Sequence, residues 1–69
     1  MAFKKMKNRE FKSQYGNNIY RLGQAWKWKR DIGNERDGAF TVEYAHDGDP
    51  LTYQFLVDEN GYIQEVRVE

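Results

Sequence analysis

Phe40-Thr41-Val42-Glu43-Tyr44 and, after one loop, Leu51-Thr52-Tyr53-Gln54-Phe55-Leu56-Val57-Asp58 decide the fold. Phe40, Val42 and Tyr44 alternate with Thr41 and Glu43, and Leu51, Tyr53, Phe55 and Val57 alternate with Thr52, Gln54 and Asp58, which is the period-two pattern of half-buried strands. A third run, Tyr62 to Glu69, puts Val66 and Val68 on one face and Glu65, Arg67 and Glu69 on the other. One side of this sheet is expected to be core and the other water.

His46-Asp47-Gly48-Asp49-Pro50 and Asp58-Glu59-Asn60-Gly61 carry the chemistry of hairpin loops. A two-residue turn at Asn60-Gly61 opposes Phe55 to Val66, and a four-residue loop opposes Tyr53 to Val66. A three-residue loop puts Phe55 opposite Glu65 and is rejected, because it turns one strand's apolar set to solvent.

Working outward, the segment Asn18 to Arg30 fits a strand better than a helix. Tyr20, Leu22, Trp26 and Trp28 then share a face while Arg21, Lys27 and Lys29 take the other, whereas a helix strands Tyr20 and Trp28 off its stripe and holds Gly23 inside at about 1 kcal/mol. With Asp31 to Gly38 as a loop, Trp28 opposes Val42, Trp26 opposes Tyr44, and Lys27 pairs with Glu43. Gly23 marks a bulge or bend. Ahead of this, Phe11 and Tyr15 form an i, i+4 pair on a short helix that starts near Lys5 or Lys7 and stops at Gly16-Asn17. The expected fold is α+β: one domain over residues 1–69, an antiparallel meander of four or five strands, a short N-terminal helix, and a flexible basic tip over residues 1–6. The alternative is two helices followed by three strands.

The pattern Phe40-x-Val42-x-Tyr44 through Tyr53-x-Phe55-x-Val57-Asp58-x-x-Gly61 resembles the sheet of PepSY-type domains. That resemblance covers less than half the chain, and no functional residue is carried over from it.

With 69 residues and no cysteine, neither disulfides nor a thiolate metal site can reinforce the fold, and its stability has to come from packing. Eleven aromatic residues make an aromatic core feasible. No apolar run approaches membrane-spanning length, so no membrane contact and a cytoplasmic location are expected. Net charge is zero, yet nine basic residues stand against Glu10 alone through residue 30, and ten acids against Arg36 and Arg67 after it. The chain is a charge dipole along its sequence.

Candidate chemistry is sparse. His46 with Asp47 and Asp49 offers too few ligands for a metal, and Ser13, Thr41 and Thr52 lack any activating context. No catalytic residue, cofactor or metal is expected, and the chain reads as a non-enzyme. Trp26-Lys27-Trp28-Lys29-Arg30 is the sharpest local feature: a core this small needs both indoles, and only an open Trp face would allow stacking on nucleic acid. The basic residues Lys4, Lys5, Lys7, Arg9, Lys12, Arg21, Lys27, Lys29 and Arg30 are the candidate macromolecule-binding set. Glu43, Asp58, Glu65 and Glu69 form an acidic outer face. The leading expectation is a small interaction protein that binds a protein partner through an exposed sheet face or edge. A nucleic-acid-binding module using the basic, aromatic N-terminal half is the alternative. A homodimer joining one copy's basic half to the other's acidic half is also compatible with the charges.

Overall fold

A single antiparallel sheet forms the protein, with its strands in the order β1-β5-β4-β3-β2. The structure, a computed structural model, describes residues 3–36 and 38–69, with backbone only at residues 35 and 36. The elements are β1 (Lys4–Met6), α1 (Asn8–Tyr15), a 3₁₀ turn (Ile19–Arg21), β2 (Trp26–Arg36), β3 (Ala39–His46), β4 (Thr52–Asp58) and β5 (Ile63–Val68). The α+β architecture with an N-terminal helix is as expected, and the arrangement of two helices and three strands is not what forms. Strands β2 to β5 make the meander, and β1 adds beside β5.

Alternation does its work on the inner face. Val42, Tyr53, Phe55, Val57, Ile63 and Val66 are buried beneath α1, together with Phe11, Ile19 and Trp26. Phe11 is the helix's contribution, fully buried with its ring 5.1 Å from Phe55 and 5.0 Å from Tyr15. Trp26 continues the cluster edge-on, 4.9 Å from Tyr53 and 5.1 Å from Tyr15. The helix ends at Gly16, whose φ of 102° lies in the region open to glycine, and its amide donates to the Lys12 carbonyl.

The outer face departs from a simple core-and-water division. Ala39, Thr41, Glu43 and Leu56 lie on it and are buried. They belong to the central strands β3 and β4, and their rows are flanked by Arg30, Gln54 and Glu65. Long polar side chains cover such positions while keeping their own heads in water.

Within the expected basic tip, the Lys4–Met6 backbone pairs with Val66 to Val68, and Met6 packs against the core. The tip's Met1 and Ala2 lie outside the described residues, and the helix starts after this strand, at Asn8.

Asn18 to Arg30 is not continuous strand. Asn18 accepts the Tyr20 amide on its side chain at 2.9 Å and starts the 3₁₀ turn. Gly23 then closes a turn through its carbonyl to the Trp26 amide, and the strand begins only at Trp26.

Asp31 to Gly38 is not a loop either, because β2 runs to Arg36. Trp26 opposes His46, Lys27 opposes Ala45 and Trp28 opposes Tyr44, two residues from the expected register. The longer strand shifts every pair along it. Register steps after Trp28, Asp31 and Asn34 leave Lys29, Ile32 and Glu35 without an opposite residue.

The β4–β5 connection uses the rejected loop length. The Asp58 amide donates to the Tyr62 carbonyl, so Glu59, Asn60 and Gly61 form a three-residue loop, with Gly61 at φ 84°. Val57 then opposes Ile63, and one extra residue, Gln64, restores Leu56 opposite Glu65 and Phe55 opposite Val66. The expected apolar pairing survives because a bulge corrects the parity.

Candidate functional site

The expected basic set is divided by the topology. Lys4 and Lys5 lie on β1, and Lys7, Arg9 and Lys12 on or beside α1, while Lys27, Lys29 and Arg30 lie on β2 at the opposite edge and Arg21 in the 3₁₀ turn. Strands β3 to β5, which carry Glu43 and Glu65, stand between. The charge division along the chain therefore does not become a division in space.

Lys5 and Arg30 of this set are held in ion pairs on the outer face. Lys5 Nζ lies 3.2 Å from Glu65 Oε1, and Glu65 Oε2 accepts from Arg67 Nε at 2.6 Å. Arg30 Nε lies 3.2 Å from Glu43 Oε2, and Glu43 Oε1 accepts from Gln54 Nε2. Lys5, Arg67, Gln54, Glu43 and Arg30 form one cross-strand row over all five strands. Burial pushes the Glu43 carboxyl up, but the bonds from Gln54 and Arg30 and the charges of Arg30 and Lys29 outweigh it and hold it below the usual range. Glu65 is held down in the same way by Arg67 and Lys5 against its own burial. The acidic outer face is thus internally neutralised at its centre, and Asp58 is taken up by its own turn, accepting from the Asn60 and Tyr62 amides.

The Trp pair is split. Trp26 is core, whereas Trp28 is 59% exposed on the same inner face, at the β2 edge beyond the cover of α1. The first bulge of β2 builds its surroundings. Alternation alone would place Trp28 with Arg30 and Asp31 with Lys29. The unpaired Lys29 reverses this, so Arg30 faces outward opposite Glu43 and Asp31 comes round to the Trp28 side opposite Val42. Trp28 Nε1 donates to Asp31 Oδ1 at 3.0 Å, which holds the exposed indole in one orientation.

Two tyrosines complete this surface. Tyr44 is half-buried, opposes Trp28 and leans on Phe55 at 5.6 Å. Burial, then Tyr20 and Asp31, push its hydroxyl above the usual range. Tyr20 is 69% exposed, with its ring lying over Gly61. Sequence reasoning singled out Trp28 but missed Asp31 and Tyr44 as its companions, because only the bulge and the two-residue register shift bring them together.

His46 and Tyr53 are tied into packing and hydrogen bonds. His46 packs its ring 4.8 Å from Trp26, and its Nδ1 lies 2.9 Å from the Asp47 carbonyl oxygen. Tyr53 donates its hydroxyl to Asp49 Oδ2 at 3.0 Å, and burial together with that carboxylate pushes it up to about 12. No group of three or more His, Asp or Glu among the described residues is placed to hold a metal. Depressions at the start of α1, lined by Lys7 to Glu10 and by Lys5 to Asn8 with Gln64, are open and drawn mainly from one stretch of chain, so neither encloses a ligand. No described helix is long and apolar enough to cross a membrane.

No family model, no curated protein and no solved structure matches this chain.

Proposed function

We propose that this protein is a non-catalytic, cytoplasmic interaction module that binds a protein partner through the inner-face surface of Trp28, Tyr44 and Tyr20. The observation that carries the reading is the exposed, hydrogen-bonded Trp28. A small domain gains most from burying an indole, and this one keeps Trp28 in water while fixing its orientation. Tryptophan and tyrosine dominate the energetically decisive positions of protein interfaces, and an anchor already held in its bound geometry loses less entropy on docking.

Of the expected routes, the sheet edge is the weaker. β2 is the long edge strand, but its three bulges and its Lys27, Lys29 and Arg30 are devices that oppose strand addition. β1 is three residues long and carries two lysines. The inner-face surface is the stronger route.

The nucleic-acid reading retains one supporting observation, the open indole next to basic β2 residues. Against it stand the separation of the basic groups onto two edges and the Asp31 carboxylate beside the indole, which repels a phosphate backbone.

Selection of random displayed 12-residue peptides on the immobilised full chain, with Trp28→Ala as the counter-target, tests the proposal. Enriched peptides that bind the wild type and lose affinity for Trp28→Ala support it. Peptides that bind both equally, or no enrichment at all, refute it.

A further inference from the structure

We infer that Trp28, Tyr44, Tyr20 and Asp31 form a receptor for a cationic group, the guanidinium or ammonium of an arginine or lysine side chain carried by the partner. The inference deepens the proposed protein-binding function and rests on it for the identity of the carrier.

The argument is electrostatic. The face of an aromatic ring carries partial negative charge and attracts a cation, most strongly for indole. Here an exposed indole stands opposite a half-buried phenol, Tyr44, and the exposed phenol of Tyr20 lies near enough to act on the Tyr44 hydroxyl. Asp31 adds a formal negative charge 3.0 Å from the indole nitrogen. Its Oδ1 accepts the indole proton, and a carboxylate has a second oxygen with which to meet a guanidinium. Rings and a carboxylate on one surface select a cation over an anion or a neutral group.

The strand's own cations are kept off this surface. Lys27 and Arg30 lie on the outer parity opposite Ala45 and Glu43, and the charge of Lys29 acts on Glu43. The bulge at Lys29 thus does two things at once: it turns Arg30 away from the indole and turns Asp31 toward it. Arg21, next to Tyr20 and exposed, is a cation that an incoming charge has to avoid. It directs the ligand to the Trp28 end of the surface.

Titration of the full chain, followed by the indole N–H resonance of Trp28, reads the receptor directly. The probes are N-acetyl-arginine amide, N-acetyl-trimethyllysine amide, the neutral isostere N-acetyl-citrulline amide, and a short oligo(dT). The two cations are expected to move the resonance saturably at millimolar concentration, citrulline and oligo(dT) to leave it unmoved, and Asp31→Asn to weaken the cations by roughly two- to fivefold. Amide dispersion of Asp31→Asn and Trp28→Ala serves as the folding control, since both side chains are exposed. Equal shifts with citrulline, an unchanged response in Asp31→Asn, or a stronger response to oligo(dT) overturns the inference. Peptides selected through Trp28 that contain no arginine or lysine overturn it while leaving the protein-binding reading in place. A cation response with no Trp28-dependent peptide does the reverse.

Discussion

Glu43 takes Arg30 on one carboxylate oxygen and Gln54 on the other, joining three neighbouring strands on the face of the sheet that α1 leaves open. Its folded-state value lies below the ordinary 4.5. Folding therefore favours the ionised form, the contribution is complete above about 4.5, and it is lost as pH falls through the lowered value. Glu65 behaves likewise. Thermal midpoints are expected to hold near neutral pH and to drop as pH falls below 4.5. Glu43→Gln should flatten that drop, and a titration no flatter than wild type would show that the Glu43 ion pair does not form in solution.

Phe55 is fully buried and meets Phe11, Trp26, Tyr44 and Tyr53. Phe55→Ala removes a ring from a core that no disulfide reinforces, at about 3–5 kcal/mol. In a domain of this size most molecules are then unfolded at 37 °C. A shift in thermal midpoint of only a degree or two would remove Phe55 from the core.

Gly61 couples the β4–β5 turn to the candidate site. Its φ of 84° is unfavourable for a side chain, and an added Cβ lies 2.5 Å from the Tyr20 ring. Gly61→Ala is expected to cost about 1–2 kcal/mol in backbone strain, and to displace Tyr20, whose ring is exposed and free to swing. Denaturant melts should show the loss unchanged in a Tyr20→Ala background, because the strain is in the backbone, while binding through the aromatic surface weakens in Gly61→Ala and weakens no further when Gly61→Ala is added to Tyr20→Ala.

The backbone pairing of Lys4–Met6 with β5 has a measurable consequence. Amide order parameters across Lys4 to Met6 are expected near the rigid value of about 0.85, with Met6 held by the core. Values below about 0.6 would mean that β1 detaches in solution.

The fold was largely legible and the site only partly so, for related reasons. Alternation in β3, β4 and β5 reports burial directly, and parity left Phe55 or Tyr53 as the partner of Val66, of which the structure has Phe55. Parity fails wherever a residue is inserted, because a bulge reverses faces without any apolar signature. Gln64 hid a three-residue turn, and Lys29 hid the meeting of Asp31 with Trp28. Asp31 to Gly38 read as a loop because polar residues and glycines also suit a bulged edge strand. Leu56, which breaks the alternation of β4, was the one visible sign that the outer face is not all solvent.

The two faces of β2 make a final pair of opposed expectations. Lys27 and Lys29 are exposed, and neither contributes to the core, so Lys27→Glu with Lys29→Glu should leave the fold intact. It should also raise the Glu43 carboxyl, since the charge of Lys29 is among the groups that hold it down. If the Trp28 surface binds a protein partner, peptide affinity is retained in this double variant and lost in Trp28→Ala. A nucleic acid held by β2 would respond in the opposite sense, with log K falling by roughly 0.7–0.9 per phosphate contact for each tenfold rise in salt, and with affinity collapsing in the double variant. Fluorescence anisotropy of short single- and double-stranded oligonucleotides at two salt concentrations separates the two. Absence of oligonucleotide binding at low salt is expected, whereas a salt-dependent affinity abolished by the two glutamates would assign the function to the outer, basic side of β2 instead.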